Sequence, residues 1–149
     1  MKINLLWNSN DVLNGYENVD PFGYEQPGKV CFNLNNLPYY DGSIEEVRAI
    51  NVLGRYEQNE ITSVLKHWTD KVSLGGKIVI GELHPELLLD QFSRGNIGVE
   101  DLGNILYNGR KSIAGLDWVL QNLPGYQITK KHVAGFYYVV EGQRVHNVR

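Results

Sequence analysis

The chain has 149 residues, 42% of them hydrophobic and 21% charged, with a formal net charge of -3, the balance of one ordinary globular domain with a single core. The negative balance and the lack of a basic block exclude a nucleic-acid surface built on bulk positive charge, and a single cysteine excludes an internal disulfide framework or a cysteine-based zinc cluster. The apolar run in "MKINLLWNSN" is too short for a signal segment, and nothing later approaches the ~18 apolar residues of a membrane span, so a soluble, cytoplasmic protein is expected.

Lys2–Trp7 sets Ile3, Leu5 and Trp7 against Asn4 and Leu6 and predicts a first strand, ended by polar residues. Tyr16–Asp20 predicts a short second strand. "DPFGYEQPGK" (Asp20–Lys29), rich in Pro and Gly, predicts a loop, and "KVCFNL" (Lys29–Leu34) a third strand. Neither gap leaves comfortable room for a helix. Asp41-Gly42 marks a turn before a fourth strand at Glu45–Leu53. The period then changes: Ile61, Val64, Leu65, Trp68 and Val72 fall at i, i+3, i+4, i+7 and i+11, predicting an amphipathic helix over Asn59–Val72, capped by Asn59 and stopped by Gly75-Gly76.

"KIVIGEL" (Lys77–Leu83) is a glycine-bounded apolar run of strand length, the pattern of a well-buried central strand covered on both faces. Pro85 suits a helix start, and that helix runs to Phe92 before Arg94-Gly95-Asn96 breaks it. Val99, Leu102, Ile105 and Leu106 predict a second short helix. Ile113, Leu116, Leu120 and Leu123 predict a third, ending at Pro124-Gly125. "YQITKKHV" and "GFYYVVEG" predict an antiparallel pair joined at Ala134-Gly135, with His146–Arg149 free to fray. The expected fold is a single α/β domain over residues 1–149: a mostly parallel twisted sheet closed by an antiparallel C-terminal hairpin.

Three phrases in this order are similar to the class I S-adenosylmethionine-dependent methyltransferases, in their small, short-loop branch. Asp11, Leu13, Gly15, Tyr16, Asn18, Val19 and Asp20 stand at the family's spacing after its first strand. Leu34, Leu37, Pro38, Asp41, Ser43, Val52 and Leu53 match a second phrase, and Trp68, Gly75 and Gly76 a third. The resemblance covers nearly the whole chain. It implies a Rossmann-like, seven-stranded sheet with its last strand antiparallel, and S-adenosylmethionine lying across the carboxyl ends of the first strands, where open α/β sheets generally bind ligands.

On that register the family's cofactor-facing positions fall on Trp7, Asn8 and Ser9 after strand 1, Asp20 after strand 2, Asn33 and Leu34 after strand 3, and Asn51 and Val52 after strand 4. Several depart from the family. Trp7 and Ser9 occupy glycine positions that let backbone approach the methionyl part. Trp7 either fills the cleft or follows Ile3 and Leu5 into the core. Asp20 matches the ribose-binding carboxylate and is also explained as the start of an Asp-Pro turn. Asn33 replaces an adenine-side Asp, and the family's His-Val-Leu-Glu-His becomes Asn51-Val52-Leu53-Gly54-Arg55.

Tyr39, Glu82 and His84 are the residues assigned to a substrate side. Glu82 and His84 read either as an acid/base pair or, for His84-Pro85-Glu86, as a helix start with an acidic first turn. His67 reads as a partly exposed helix residue and Cys31 as a small buried one. His132 and His146 lack spaced partners, so no metal site is expected. Tyr16, Phe22, Tyr24, Tyr39 and Tyr40 form a loop-borne aromatic set suited to contacts.

Two functions are carried forward. One is a methyltransferase-fold protein with an altered cofactor site, a non-catalytic binding or interaction module paired with itself or with an active homologue. The alternative is an active S-adenosylmethionine-dependent methyltransferase with an atypical cofactor loop and a small-molecule or protein acceptor. Dimerisation is expected if the face left without a helix between strands 1 and 2 is apolar.

Overall fold

The structure, a computed structural model, describes residues 1–22 and 28–147. The opening alternation forms β1 (Lys2–Leu5), with Ile3 and Leu5 buried. β2 (Glu17–Asp20) follows, then β3 (Lys29–Cys31) and β4 (Ile44–Ile50). A 3-10 turn at Leu53–Arg55 leads to α1 (Ile61–Lys71), β5 (Val72–Leu83), α2 (Pro85–Ser93), α3 (Val99–Leu106), α4 (Leu116–Gln121), β6 (Tyr126–Ala134) and β7 (Tyr137–Arg144). Among the described residues these strands make one seven-stranded sheet, ordered β3-β2-β1-β4-β5-β7-β6. β1 to β5 pair in parallel, and β7 runs antiparallel to both β5 and β6. This is a Rossmann-like α/β sheet with the expected C-terminal hairpin.

Register assigns the two faces. Ile3 and Leu5 stand beside Val47 and Ala49, which stand beside Ile78 and Ile80, and those beside Val140 and Gly142. Against this face pack Val64, Leu65 and Trp68 of α1 and Val119 of α4. Residues 32–39 cross the same face without forming a helix, burying Leu34 and Leu37. Two hydrogen bonds fasten the crossing to α1: the Trp68 indole N–H donates to the Leu34 carbonyl at 2.7 Å, and the Leu37 N–H donates to His67 Nε2 at 2.8 Å. His67 is therefore a half-buried acceptor, and burial first, then Lys71, holds its pKa down.

The opposite face carries Lys2 and Asn4 beside Glu46 and Arg48, then Lys77 and Val79, then Glu141 and Gln143. No helix follows β1. The face it would have covered is polar rather than apolar: the Tyr16 hydroxyl bonds Glu46, and Lys77 pairs with Glu141 at 3.8 Å. The apolar patch that would have favoured dimerisation is not what this face presents.

Several boundaries differ from the sequence reading for local reasons. The fourth strand stops at Ile50, because Asn51 adopts φ 58° and turns Val52 and Leu53 out of the sheet into the core. The cap of α1 is Glu60 rather than Asn59, and its carboxylate accepts the Glu57 N–H at 3.2 Å instead of capping the helix. Gly75-Gly76 does not stop a helix. α1 ends at Lys71 and the chain enters β5 directly, with the glycines inside an irregularity of the β4–β5 ladder. There Gly75 has φ 83°, and a Cβ on Gly76 would lie 2.8 Å from the Glu45 carbonyl oxygen, a contact no side chain tolerates. The expected strand 3 is cut to Lys29–Cys31, and Cys31 is exposed rather than buried. Most of the loop expected after Asp20, including Tyr24, lies outside the described residues.

Candidate functional site

At the carboxyl ends of β1, β2 and β4 stands Trp7, half-buried and packed against the hydrophobic core. Its ring stands edge-on to Phe22, which follows β2, at 5.2 Å and 89°, and to Tyr56, which follows β4, at 5.4 Å and 72°. Such edge-to-face pairs each contribute roughly 0.5–1.5 kcal/mol beyond burial. The trio spans the three strand ends. The turn manages without glycines because Asn8 takes the left-handed conformation, at φ 50°, that Asn tolerates better than most side chains. The Asn8 N–H donates to Asp20 Oδ1 at 3.2 Å, so the turn is tied to the end of β2.

Asp20 is 3% exposed and bonded within the protein. Oδ1 also accepts the Phe22 N–H at 3.1 Å, and Oδ2 lies 3.6 Å from the Lys29 ammonium, the two side chains being 5% and 6% exposed. Its carboxylate thus organises the turns after β1 and β2. Asn33 is exposed, with its backbone carbonyl bonded to the Asn36 N–H at 3.1 Å, while Leu34 and Val52 are core residues with no exposed surface.

Behind these strand ends the structure assembles a buried ionic cluster that sequence reasoning missed in part. Glu82 is 1% exposed. Its Oε1 accepts the Arg110 Nη1–H at 3.0 Å and the Gly54 N–H at 3.1 Å, while Oε2 has no partner among the described residues. Burial pushes the carboxyl up to about 7 even though Arg110 and the Gly54 N–H pull it down. The Gly54 carbonyl in turn accepts the N–H groups of Lys111 and Ser112 at 2.8 and 3.1 Å. A Cβ on Gly54 would lie 2.7 Å from both Arg110 Nη1 and Glu82 Oε1. Gly54, the apparent loss of a family glutamate, is therefore the space this ion pair needs. The sequence signal was a carboxylate inside the apolar "KIVIGEL", which requires a buried cation; nothing local pointed to Arg110.

Glu82 and His84 do not form an acid/base pair in this arrangement. His84 caps α2, its Nδ1 accepting the Leu87 N–H at 3.3 Å, with Pro85 and Glu86 in the first turn. Its ring stands edge-on to Tyr138 at 6.3 Å, and Tyr138 pairs with Glu82 across the β5–β7 ladder. Tyr39 lies at the opposite, amino-terminal edge of the sheet. It packs edge-on to Phe32 beside Glu17, and burial, then the Glu17 carboxylate, raise its pKa. It is brought together with neither Glu82 nor His84. Tyr40 is 89% exposed.

One cavity adjoins Trp7. It measures about 330 Å³ and lies between the β1–β2 connection and the polar face, bordered by Asn4, Trp7, Arg48, Ile50, Asn51 and Arg55. Asn4 Nδ2 donates to the Asp11 carbonyl at 3.0 Å, and Asn18 exchanges hydrogen bonds with the Leu13 backbone at 2.9 and 3.1 Å. These bonds hold the connection over the sheet as a roof. Asn51 Oδ1 is enclosed by protein rather than open to the cavity, and has no hydrogen-bond partner among the described residues. Arg55 gives one N–H to the Asn51 carbonyl at 3.4 Å and another to the Asn108 carbonyl. Among the described residues no group of three or more His, Cys, Asp or Glu is placed to hold a metal ion, and no helix is long and apolar enough to cross a membrane.

No protein-family model and no curated protein matches this chain. Solved structures do, at low identity. A Thermotoga maritima S-adenosylmethionine-dependent methyltransferase, described as a possible histamine N-methyltransferase, aligns with TM-score 0.61 and 12% identity over 87% of this chain and 73% of its own. A Mesorhizobium loti S-adenosylmethionine-dependent methyltransferase aligns with TM-score 0.60 and 13% identity over 87% and 82%. The complex between the Haloferax volcanii Trm112 methyltransferase activator and a candidate methyltransferase contains a chain that aligns with TM-score 0.65 and 8% identity over 99% and 84%. The fold is that of the S-adenosylmethionine-dependent methyltransferases.

Proposed function

We propose that this chain is a single-domain, cytoplasmic protein of methyltransferase fold that works as a non-catalytic binding or interaction module, without S-adenosylmethionine. The observation that carries the reading is the Trp7 indole wedged between Phe22 and Tyr56 over the carboxyl ends of β1, β2 and β4. In an open α/β sheet the crevice outside those ends is the ligand position, and an aromatic trio occupies it. Asp20 supports the same conclusion, since both its oxygens already serve Asn8, Phe22 and Lys29. At 3% exposure the carboxylate presents little surface to ribose hydroxyls. These residues do not fit the cofactor, and no chemical step is assigned to it.

A partner belongs to this reading, either a second copy or a homologous protein. In the Haloferax neighbour a methyltransferase activator stands in complex with a chain of this fold type. Calorimetric titration with S-adenosylmethionine and with its demethylated product tests the proposal. Heat-silent titrations at micromolar protein are expected, and saturable micromolar binding of either compound overturns it.

A second reading is favoured by one observation, the 330 Å³ cavity beside Trp7. If the roof over it opened onto the crevice, an atypical cofactor loop could serve an active methyltransferase acting on a small-molecule or protein acceptor. Micromolar cofactor binding would select this alternative.

A further inference from the structure

α2 and α3 are thinly packed. α2 buries only Leu88, and none of the eight residues of α3 is buried. A helix that short is marginal in water and depends on burying its apolar side. Yet Leu89 is exposed, and Val99 and Tyr107, at the two ends of α3, are 73% and 82% exposed. The two helices also carry one sign of charge: Glu86, Asp90, Glu100 and Asp101, with no lysine or arginine on either. First-turn carboxylates suit the helix dipole, and Arg94 in the connection lies 3.1 Å from Asp90. Neither fact accounts for the apolar side chains left uncovered beside these acids.

β6 carries the opposite sign. It is the last strand of the sheet, its nine residues are exposed apart from a half-buried Tyr126, and it holds Lys130, Lys131 and His132 with no carboxylate. Glu141, opposite Lys130 in the ladder, is turned to Lys77 and to the Thr129 hydroxyl. Ile128 and Val133 lie exposed beside the lysines. The two lysines, and the irregularity of the ladder between Ile128 and Lys130, disfavour pairing with a further strand; a helix laid over the edge is the other way to cover it.

These two surfaces are neighbours. At the head of α2 the His84 N–H donates to the Phe136 carbonyl, in the β6–β7 turn, at 2.6 Å. Leu83 stands beside Tyr137, and Tyr137 beside Ala134 of β6. An acidic and a basic surface side by side form a patch that complements itself when turned about a two-fold axis, because each half then meets the other.

We infer that the chain pairs with a second copy of itself, α2 and α3 of one protomer lying against the β6 edge of its partner. β6 spans about 30 Å and α3 about 12 Å, so the edge has room for the helix. The acids of α3 meet Lys130 and Lys131, and the exposed apolar side chains of helix and strand are covered between them. Symmetry repeats the contact, and the two together share the roughly 1,600 Å² that a stable interface buries. The inference rests on the reading of this chain as an interaction module and gives that module its surface and its partner.

The test is sedimentation velocity of the full chain from about 1 to about 100 μM, with a dimer expected at a dissociation constant on the order of 10 μM or below. Two double variants reverse the charge of exposed residues, Lys130→Glu with Lys131→Glu, and Glu100→Lys with Asp101→Lys. Each alone sets like charges against each other and should weaken the dimer about tenfold or more. An equimolar mixture of the two should pair again, since acid then meets base at both contacts. Circular dichroism establishes that each variant is folded, and the lysine variant, which touches no helix, stands by itself if the other is not. A wild-type chain that stays monomeric overturns the inference, as does a dimer that survives the lysine reversal. A mixture of folded variants that stays monomeric overturns the pairing of these two surfaces. A monomer that leaves the S-adenosylmethionine calorimetry silent removes this surface and keeps the proposed function; a dimer that binds the cofactor does the reverse.

Discussion

Replacing Arg110 with Met tests the ionic cluster at its weakest point. The substitution keeps most of the aliphatic volume but removes the cation that lies 3.0 Å from Glu82 Oε1, leaving the Gly54 N–H as the only hydrogen-bond donor, among the described residues, on a carboxylate with no exposed side-chain surface. Breaking a buried pair from one side costs about 3–5 kcal/mol when the remaining charge is stranded. For a domain of this size that corresponds to a fall in Tm of roughly 6–20 °C. The penalty should depend on pH, because a protonated Glu82 is not a stranded charge. In the wild type the folded-state carboxyl is raised from 4.5 to about 7, so its favourable contribution is complete below pH 4.5 and disappears as pH rises through 7. In Arg110→Met the folded value rises further, and the decline should continue above pH 7. Thermal melts followed by circular dichroism from pH 5 to 9 should therefore show a small deficit at the acid end and the full deficit at the alkaline end. Glu82→Gln in the Arg110→Met background should flatten the difference. An equal deficit at both ends, or one unaffected by Glu82→Gln, would refute the coupling of Arg110 to a titrating Glu82.

Other consequences are more local. Asp20→Asn should destabilise the fold by about 3–5 kcal/mol by stranding the buried Lys29 ammonium, read from urea unfolding; a change below about 0.5 kcal/mol would show that Asp20 is free to face a ligand. His67 accepts the Leu37 N–H and has a lowered pKa, so its contribution is present above the ordinary His value of about 6.5 and lost as pH falls below it. The sign is opposite to that of Glu82, and Glu82→Gln isolates it. An NMR titration of His67 with a midpoint at or above 6.5 contradicts this. Trp68→Phe, which leaves the Leu34 carbonyl without its 2.7 Å donor in the core, should cost about 1–3 kcal/mol.

The parts of the fold governed by short-range pattern were legible in the sequence. Ile61, Val64, Leu65 and Trp68 announced α1 because one helical stripe must face the sheet, and "KIVIGEL" announced β5 because both its faces are covered. Features decided by tertiary encounter were not. Gly75-Gly76 looked like a helix stop, but its role is set by Glu45 on the neighbouring strand. Glu82 was visible as a carboxylate in an apolar run, yet its partner lies 28 residues away on another connection. The direction of Trp7 depended on Phe22 and Tyr56, which come from two different turns. Tyr39 fell outside the crevice because residues 32–39 return across the sheet to its amino-terminal edge without forming a helix.

The central claim is that the protein's own side chains fill the crevice at the carboxyl ends of β1, β2 and β4. A crystal structure grown in saturating S-adenosylhomocysteine tests it most directly. The account predicts an indole still seated between Phe22 and Tyr56, Asp20 still bonded to the Asn8 and Phe22 N–H groups, and no adenosyl density above the strand ends. An indole swung aside, with the nucleoside bound in its place and its ribose hydroxyls on Asp20, would contradict it.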